Sequence, residues 1–382
     1  MSNRKKNLKI IQKNMKIPIF KLKFENKFIN LFQKNSKNIL SSDALSEGNF
    51  VKKFENKFKK FLRSKYAVAV NCGTSALEIA FRAIDINNKE VIIPTNTFFG
   101  TSIPIERAGG KFLLCDQEKN GTGLDIRKFE KMITKKTKAV CLVHVGGIIS
   151  ENFYKIKDIC RKKKLYIIED AAHAHGSKIR NKYAGNLGDI GCFSFYPTKV
   201  MTTGEGGIIT TNNKKIYDKI LKIKNFGRMQ KNSLLIDVEG NNHKMSEFQA
   251  LLGYLELGRV KKRIMKRKKF ALRYEKNLKN NSNYEVLIPK KSDSSFYKCI
   301  IKTKINSLKI NKLCKKRGVN LTGQVWKEPL HKQPLYKKKY IKFKFPNADY
   351  FSNHHICPPN YPEMTIKEID FVSNLLNKID NK

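Results

Sequence analysis

Short apolar runs alternate with segments of helical period through the first two thirds of the chain. Residues 66–70, 90–93, 112–115, 139–144, 165–169, 190–195 and 207–211 read as strands, with 75–84 and 153–163 as helices between them. Near-continuous Val, Ile and Leu within a strand implies cover on both faces, and alternation at this spacing predicts a mostly parallel sheet. The expected fold class is therefore α/β. Asn49 to Leu62 carries Phe50, Phe54, Phe58 and Phe61 on one helical face, an aromatic stripe that packs on the core. Past about residue 245 the pattern changes to a long charged helix through 245–278, a strand at 296–303, a helix at 308–317, a Pro-rich stretch and a final helix at 366–379. The expected organisation is a basic N-terminal lead-in (1–35), a large domain (36–250) and a smaller C-terminal α+β domain (251–382).

Composition narrows the function classes. At 382 residues and 40% hydrophobic content the chain can bury two cores, which excludes a disordered tail protein. No apolar run reaches the roughly eighteen residues of a membrane span, and residues 1–16 are basic and polar, so membrane insertion is not expected and a cytoplasmic location is. The eight cysteines form no CxxC pair and sit mostly in apolar runs, as reduced, buried thiols do. Lys and Arg total 78 against 32 acidic residues, a formal charge of +46 that raises a nucleic-acid partner. Only about a dozen of these cations are Arg, the residue suited to forked phosphate contacts, and the lysines are spread along the whole chain. Lys, Asn and Ile are enriched together, as A+T-rich codons produce, so a nucleic-acid role is not the expectation.

One lysine stands apart. Lys199 closes Gly191-Cys192-Phe193-Ser194-Phe195-Tyr196-Pro197-Thr198-Lys199 and is followed by Gly204-Glu205-Gly206-Gly207. An amine after a buried strand, beside glycines that admit a ligand, can lose its proton near neutral pH and form an imine, as pyridoxal-phosphate (PLP) chemistry requires. Three other strand ends suit the same cofactor. Asn71-Cys72-Gly73-Thr74-Ser75 opens a helix where free N–H groups, a glycine and hydroxyls suit a phosphate, although a capping Thr or Ser needs no ligand. Ser194 can add a hydroxyl. The strand Leu165-Tyr166-Ile167-Ile168-Glu169-Asp170 ends in two carboxylates, one of which can hold a pyridine nitrogen protonated. The block that follows, Ala171-Ala172-His173-Ala174-His175-Gly176, also permits a plain helix cap, or a metal site of Asp170, His173 and His175 that lacks a further ligand. Phe98 or Phe99, after another strand, can stack on a planar ring or belong to the core.

These blocks, with Gly240-Asn241-Asn242-His243-Lys244-Met245-Ser246-Glu247 and Phe345-Pro346-Asn347-Ala348 in the same order, resemble the DegT/DnrJ/EryC1/StrS aminotransferases, from about Pro18 to Lys382. The resemblance implies the aspartate-aminotransferase-like fold (PLP-dependent transferase fold type I). It implies Lys199 as the lysine that carries PLP and shuttles a proton, Asp170 on the pyridinium nitrogen and Phe98 against the ring. Gly73, Thr74, Ser75 and Ser194 would bind the phosphate, and His173 would lie beside the ring hydroxyl. Asn242 matches an Asn that in the family reaches the neighbouring subunit's cofactor, which implies a homodimer with shared active sites. Lys244 stands where Arg is usual. The implied reaction moves the amino group of L-glutamate onto a nucleotide-linked keto sugar, in amino-sugar formation for surface polysaccharide or glycoconjugate. Dehydrating relatives carry His at the Lys199 position, and cyclitol-forming and aminohydroxybenzoate-forming relatives share the motifs. A non-catalytic regulator or nucleic-acid-binding protein on the same fold is the rival from another class. The segment 318–331 covers the substrate side, where Trp326 and His331 are each either a substrate contact or structural.

Overall fold

The computed structural model describes residues 16–230, 233–321 and 325–379. Strands β1 (Tyr66–Val70), β2 (Glu90–Pro94), β3 (Lys111–Cys115), β4 (Thr137–Val143), β5 (Tyr166–Asp170), β6 (Ile190–Ser194) and β7 (Gly207–Thr211) form a sheet in the order β1-β7-β6-β5-β4-β2-β3. Strands β2 to β6 run parallel, and β7 lies antiparallel between β1 and β6. Because β1 is also antiparallel to β7, the C-terminal ends of β1, β2, β5 and β6 share one edge. That edge is where ligands bind in open α/β sheets.

Helices α1 (Asn26–Leu40), α2 (Asn49–Leu62), α3 (Gly73–Ala83) and α4 (Phe99–Arg107) lie in the first part of the chain. The first of these begins inside the segment expected as a lead-in, whose residues 1–15 lie outside the described residues. The aromatic stripe of α2 does what its spacing predicts. Phe54 and Phe58 are fully buried, with ring centres 5.3 Å from Phe195 and 5.1 Å from Phe193 respectively. Each such ring contributes about 2–3 kcal/mol by leaving water. The start of α2 is held by a buried anion: Gly48, Phe50 and Val51 donate their N–H groups to the Glu247 carboxylate at 3.1, 2.7 and 2.8 Å. Along β6, Phe193 faces α2 while Cys192 and Ser194 face α3, so one strand braces the core and presents a hydroxyl to the other side.

The expected long helix over 245–278 is two helices, α5 (Glu247–Leu257) and α6 (Val260–Leu278). A capping box between Ser246 and Gln249 starts α5, leaving Met245 outside it, and the chain breaks at Gly258-Arg259. Phe270, Tyr274 and Leu278 of α6 pack into a second core with α7 (Ser307–Lys316), α8 (Ile366–Ile379) and a small antiparallel sheet, β8 (Tyr284–Val286), β9 (Ile301–Thr303) and β10 (His355–Ile356). Ile17 returns to this core and bridges to Val319. The strand expected over 296–303 is shorter than its pattern. Residues 294–298 are instead a crossing loop, with Phe296 at φ +48° and its N–H on the Ser294 hydroxyl at 2.9 Å. All eight cysteines are free thiols, seven of them buried. Among the described residues no helix is long and apolar enough to cross a membrane.

Candidate active site

The shared edge opens into a cavity of about 580 Å³, walled by strand ends of the sheet and by the 294–298 loop. At the end of β1, Cys72 is extended and its Sγ accepts the Ser75 N–H at 3.3 Å, which caps α3. Gly73 is pressed against β6: a Cβ there would stand 2.6 Å from the Ser194 Cβ. Thr74 and Ser194 line the cavity beside it. Ser75, from the same motif, turns its hydroxyl inward to His243 Nδ1 at 3.0 Å and is not part of the cavity wall.

At the end of β5 the two neighbouring carboxylates separate. Asp170 faces the cavity, its Oδ2 accepting from the Thr101 hydroxyl at 2.8 Å and its Oδ1 from the Ala172 N–H at 3.2 Å. Glu169 is fully buried and accepts the N–H groups of Gly185, Leu187 and Gly188 at 2.8, 2.7 and 2.7 Å, with His144 Nε2 at 2.8 Å.

Beyond β6 the chain turns back on itself and delivers Lys199. Its N–H donates to the Tyr196 carbonyl at 2.9 Å, and the Thr203 N–H and Thr202 hydroxyl both donate to the Phe195 carbonyl, at 3.0 and 2.9 Å. Val200 and Met201, fully buried, anchor the turn below. The amine is left in the cavity, 5.1 Å from the Tyr297 ring centre. Burial pushes the Lys199 pKa below that of a free lysine; Tyr297 and Asp170 oppose the shift and Lys298 adds to it.

His173 receives the Gly146 N–H on Nδ1 at 3.3 Å, and its ring lies 4.3 Å from Tyr297 and 5.6 Å from a parallel Trp326. Burial, then the Lys199 and Lys298 charges, hold it neutral, its pKa well below the usual histidine range. Phe98 precedes α4 and borders the cavity, half exposed, with its ring 3.9 Å from that of Phe99. His175 lies away from these groups, fully buried between Phe193 and Phe195, with its pKa pushed down to about 3 by burial. Among the described residues no group of three or more His, Cys, Asp or Glu could hold a metal ion.

His331 lies outside the cavity wall, joining Thr95 (Nδ1 to Oγ1, 2.7 Å) to Asp349 (Nε2 to Oδ1, 3.1 Å) against the Phe345 ring. Asn242 is exposed and outside this chain's own cavity. Lys244 places its amine 5.3 Å from the Phe226 ring centre. In the 318–331 segment, Thr322, Gly323 and Gln324 lie outside the described residues, while Val325 and Trp326 line the cavity. Sequence reasoning missed Tyr297 and Lys298, which the crossing loop brings in. No sequence signal marked them: the loop is held by the Ser294 and Ser295 hydroxyls, which donate to the backbone carbonyls of Gly147 (3.0 Å) and His173 (2.7 Å).

The sequence profile of the DegT/DnrJ/EryC1/StrS aminotransferase family matches residues 27–377. The chain belongs to that family. The GDP-perosamine synthase of Escherichia coli O157:H7 is 31% identical, over 87% of this chain and 91% of that protein. The UDP-4-amino-4,6-dideoxy-N-acetyl-beta-L-altrosamine transaminase of Campylobacter jejuni is 29% identical, over 90% of this chain and 93% of that one. The structure of Bacillus subtilis NtdA with bound cofactor PMP aligns with TM-score 0.88 and 26% identity, covering 97% of this chain and 87% of that one. The fold is the aspartate-aminotransferase-like one, the enzyme is an aminotransferase, and its cofactor is PLP.

The residues present fit that group. A side chain at position 73 would fill the space between α3 and Ser194 where a phosphate needs backbone to come close, and the cavity offers the buried Asp170 carboxylate and the Lys199 amine, whose pKa burial lowers.

Proposed function

We propose that the enzyme moves the amino group of L-glutamate onto a keto sugar carried by a nucleoside diphosphate, in amino-sugar formation. Convergence of Lys199, Asp170 and the Gly73 cradle on a single cavity large enough for cofactor and sugar together carries this reading. Gly73, Thr74 and Ser194 would hold the cofactor's phosphate, Asp170 would meet its pyridinium nitrogen, His173 would lie beside its ring hydroxyl and Phe98 would cover one ring face. PLP, when bound, supplies an electron sink for the carbon that loses its proton.

The chain's own residues do the rest. Lys199 takes the proton from the donor's α-carbon and returns one to the acceptor carbon, which requires an amine that is neutral at working pH. Burial works in that direction, pushing the Lys199 pKa below that of a free lysine. Thr101 fixes the Asp170 carboxylate in place. His173, neutral, has its Nδ1 occupied by the Gly146 N–H, so Nε2 is the ring nitrogen left to face a ligand. Tyr297 and Trp326 form an aromatic wall that suits a sugar ring. Two chains form a homodimer in which Asn242 completes the partner's site. Names of the relatives, one acting on a GDP-linked and one on a UDP-linked sugar, support a nucleotide-linked acceptor. The test is a screen of glutamate-dependent amination across GDP-, UDP- and dTDP-linked 3-keto and 4-keto sugars. Conversion of one class supports the reading. A colourless protein that aminates none of them and binds DNA in a salt-sensitive way would replace it with the nucleic-acid-binding alternative.

A further inference from the structure

The cavity holds a second lysine that the roles above leave unused. Lys298 is on the crossing loop, whose backbone is tied to the large domain beyond β4 and β5: its own N–H donates to the Gly146 carbonyl at 3.2 Å, and the Ser295 hydroxyl to the His173 carbonyl at 2.7 Å. In the sheet order β1-β7-β6-β5-β4, this puts Lys298 across the cavity from the Gly73 and Ser194 cradle, which lies between β1 and β6. Its amine and that of Lys199 each stand 5.1 Å from the centre of the same Tyr297 ring. The other charged groups of the cavity wall are Asp170, already bonded to Thr101 and Ala172, and Glu205. Among the described residues no carboxylate forms an ion pair with Lys298. Burial pushes its pKa down, so an anion entering the cavity would favour the ammonium form.

We infer that Lys298 is the contact for the α-carboxylate of the amino donor. Position selects this anion over the others that enter. The cofactor's phosphate belongs at the opposite end of the cavity. A diphosphate on the sugar's anomeric carbon is several bonds from a reacting carbon at the 3 or 4 position, and its bulky nucleoside must extend toward solvent. The donor's α-carboxylate is attached to the reacting carbon itself, beside Lys199. An ammonium there orients the donor for proton removal and contributes a charge-assisted hydrogen bond.

The inference rests on the transaminase reading, and its test is arranged to fail separately from that reading. Lys298→Met and Lys298→Arg are purified with PLP, and cofactor content is compared by absorbance to check that the site is intact. Calorimetric titration with glutarate, an unreactive dicarboxylate, is expected to show binding weakened roughly 10- to 100-fold in Lys298→Met and largely retained in Lys298→Arg. In rapid mixing with glutamate alone, the donor half of the reaction should need correspondingly more glutamate in Lys298→Met. The acceptor half, started from the amino form of the cofactor and a nucleotide-linked keto sugar, should keep its dependence on sugar concentration, because the sugar carries no such carboxylate. Unchanged glutarate binding in Lys298→Met overturns the inference. So does loss confined to the acceptor half, which would assign Lys298 to the diphosphate. A wild type that binds glutarate through Lys298 but leaves glutamate unconverted keeps the carboxylate contact and removes the transaminase reading.

Discussion

Glu169 and Asp170, adjacent on β5, send their carboxylates to opposite faces of the sheet. Asp170 meets Thr101 in the cavity, while Glu169 is sealed among the N–H groups of Gly185, Leu187 and Gly188. Strand alternation alone separates a chemical carboxylate from a structural one.

The two are expected to fail differently. Glu169→Ala strands three buried N–H donors and His144, so it should cost about 3–5 kcal/mol of stability, read as a lower denaturant midpoint. Asp170→Asn should leave the unfolding free energy within about 1 kcal/mol of wild type and lower kcat by roughly 100-fold or more.

Gly73→Ala drives a Cβ to 2.6 Å from the Ser194 Cβ, next to strand backbone that cannot swing aside. The cradle must open. The expected result is cofactor lost on dialysis, with affinity for PLP down by about tenfold or more and the fold retained by circular dichroism.

The pH behaviour of Lys199 follows from its surroundings. Burial disfavours the ammonium, so the neutral amine is present at a lower pH than on an exposed lysine. In cofactor-free protein, acylation of Lys199 followed by peptide mass spectrometry should therefore begin at lower pH than that of surface lysines. Asp170→Asn removes a charge that favours the ammonium and should move the Lys199 midpoint down. Lys298→Met removes a like charge and should move it up.

Asn242, outside its own chain's cavity, gives a test of the shared site. Lys199→Ala and Asn242→Ala chains, each of low activity alone, are mixed under conditions that exchange subunits. Random pairing leaves one intact site in half of the dimers, so about a quarter of wild-type activity should return. No recovery would mean that each chain builds its site alone.

Much of this was legible in the sequence because parallel strands and their ends are local features. The strand pattern, the α2 stripe and the blocks around Gly73, Asp170 and Lys199 are each contiguous, and the sheet needs only to align their ends. The crossing loop was not legible. Phe296 to Thr303 has the composition of one strand, and nothing local marks that Ser294, Ser295 and Lys298 bond to Gly147, His173 and Gly146, more than a hundred residues earlier in the chain. In a chain with 78 Lys and Arg residues, Lys298 had no distinguishing neighbour either. His331 and Ser75 carry functional-looking side chains whose partners, Thr95 with Asp349 and His243, become apparent only in three dimensions.

The most direct test of the central claim is to treat the purified yellow enzyme with borohydride, digest it and locate the cofactor by mass spectrometry. The cofactor's mass should be on the peptide containing Lys199, and Lys199→Ala should lose both that adduct and amino transfer. An adduct on Lys298 or another lysine, or full activity in Lys199→Ala, would contradict the account.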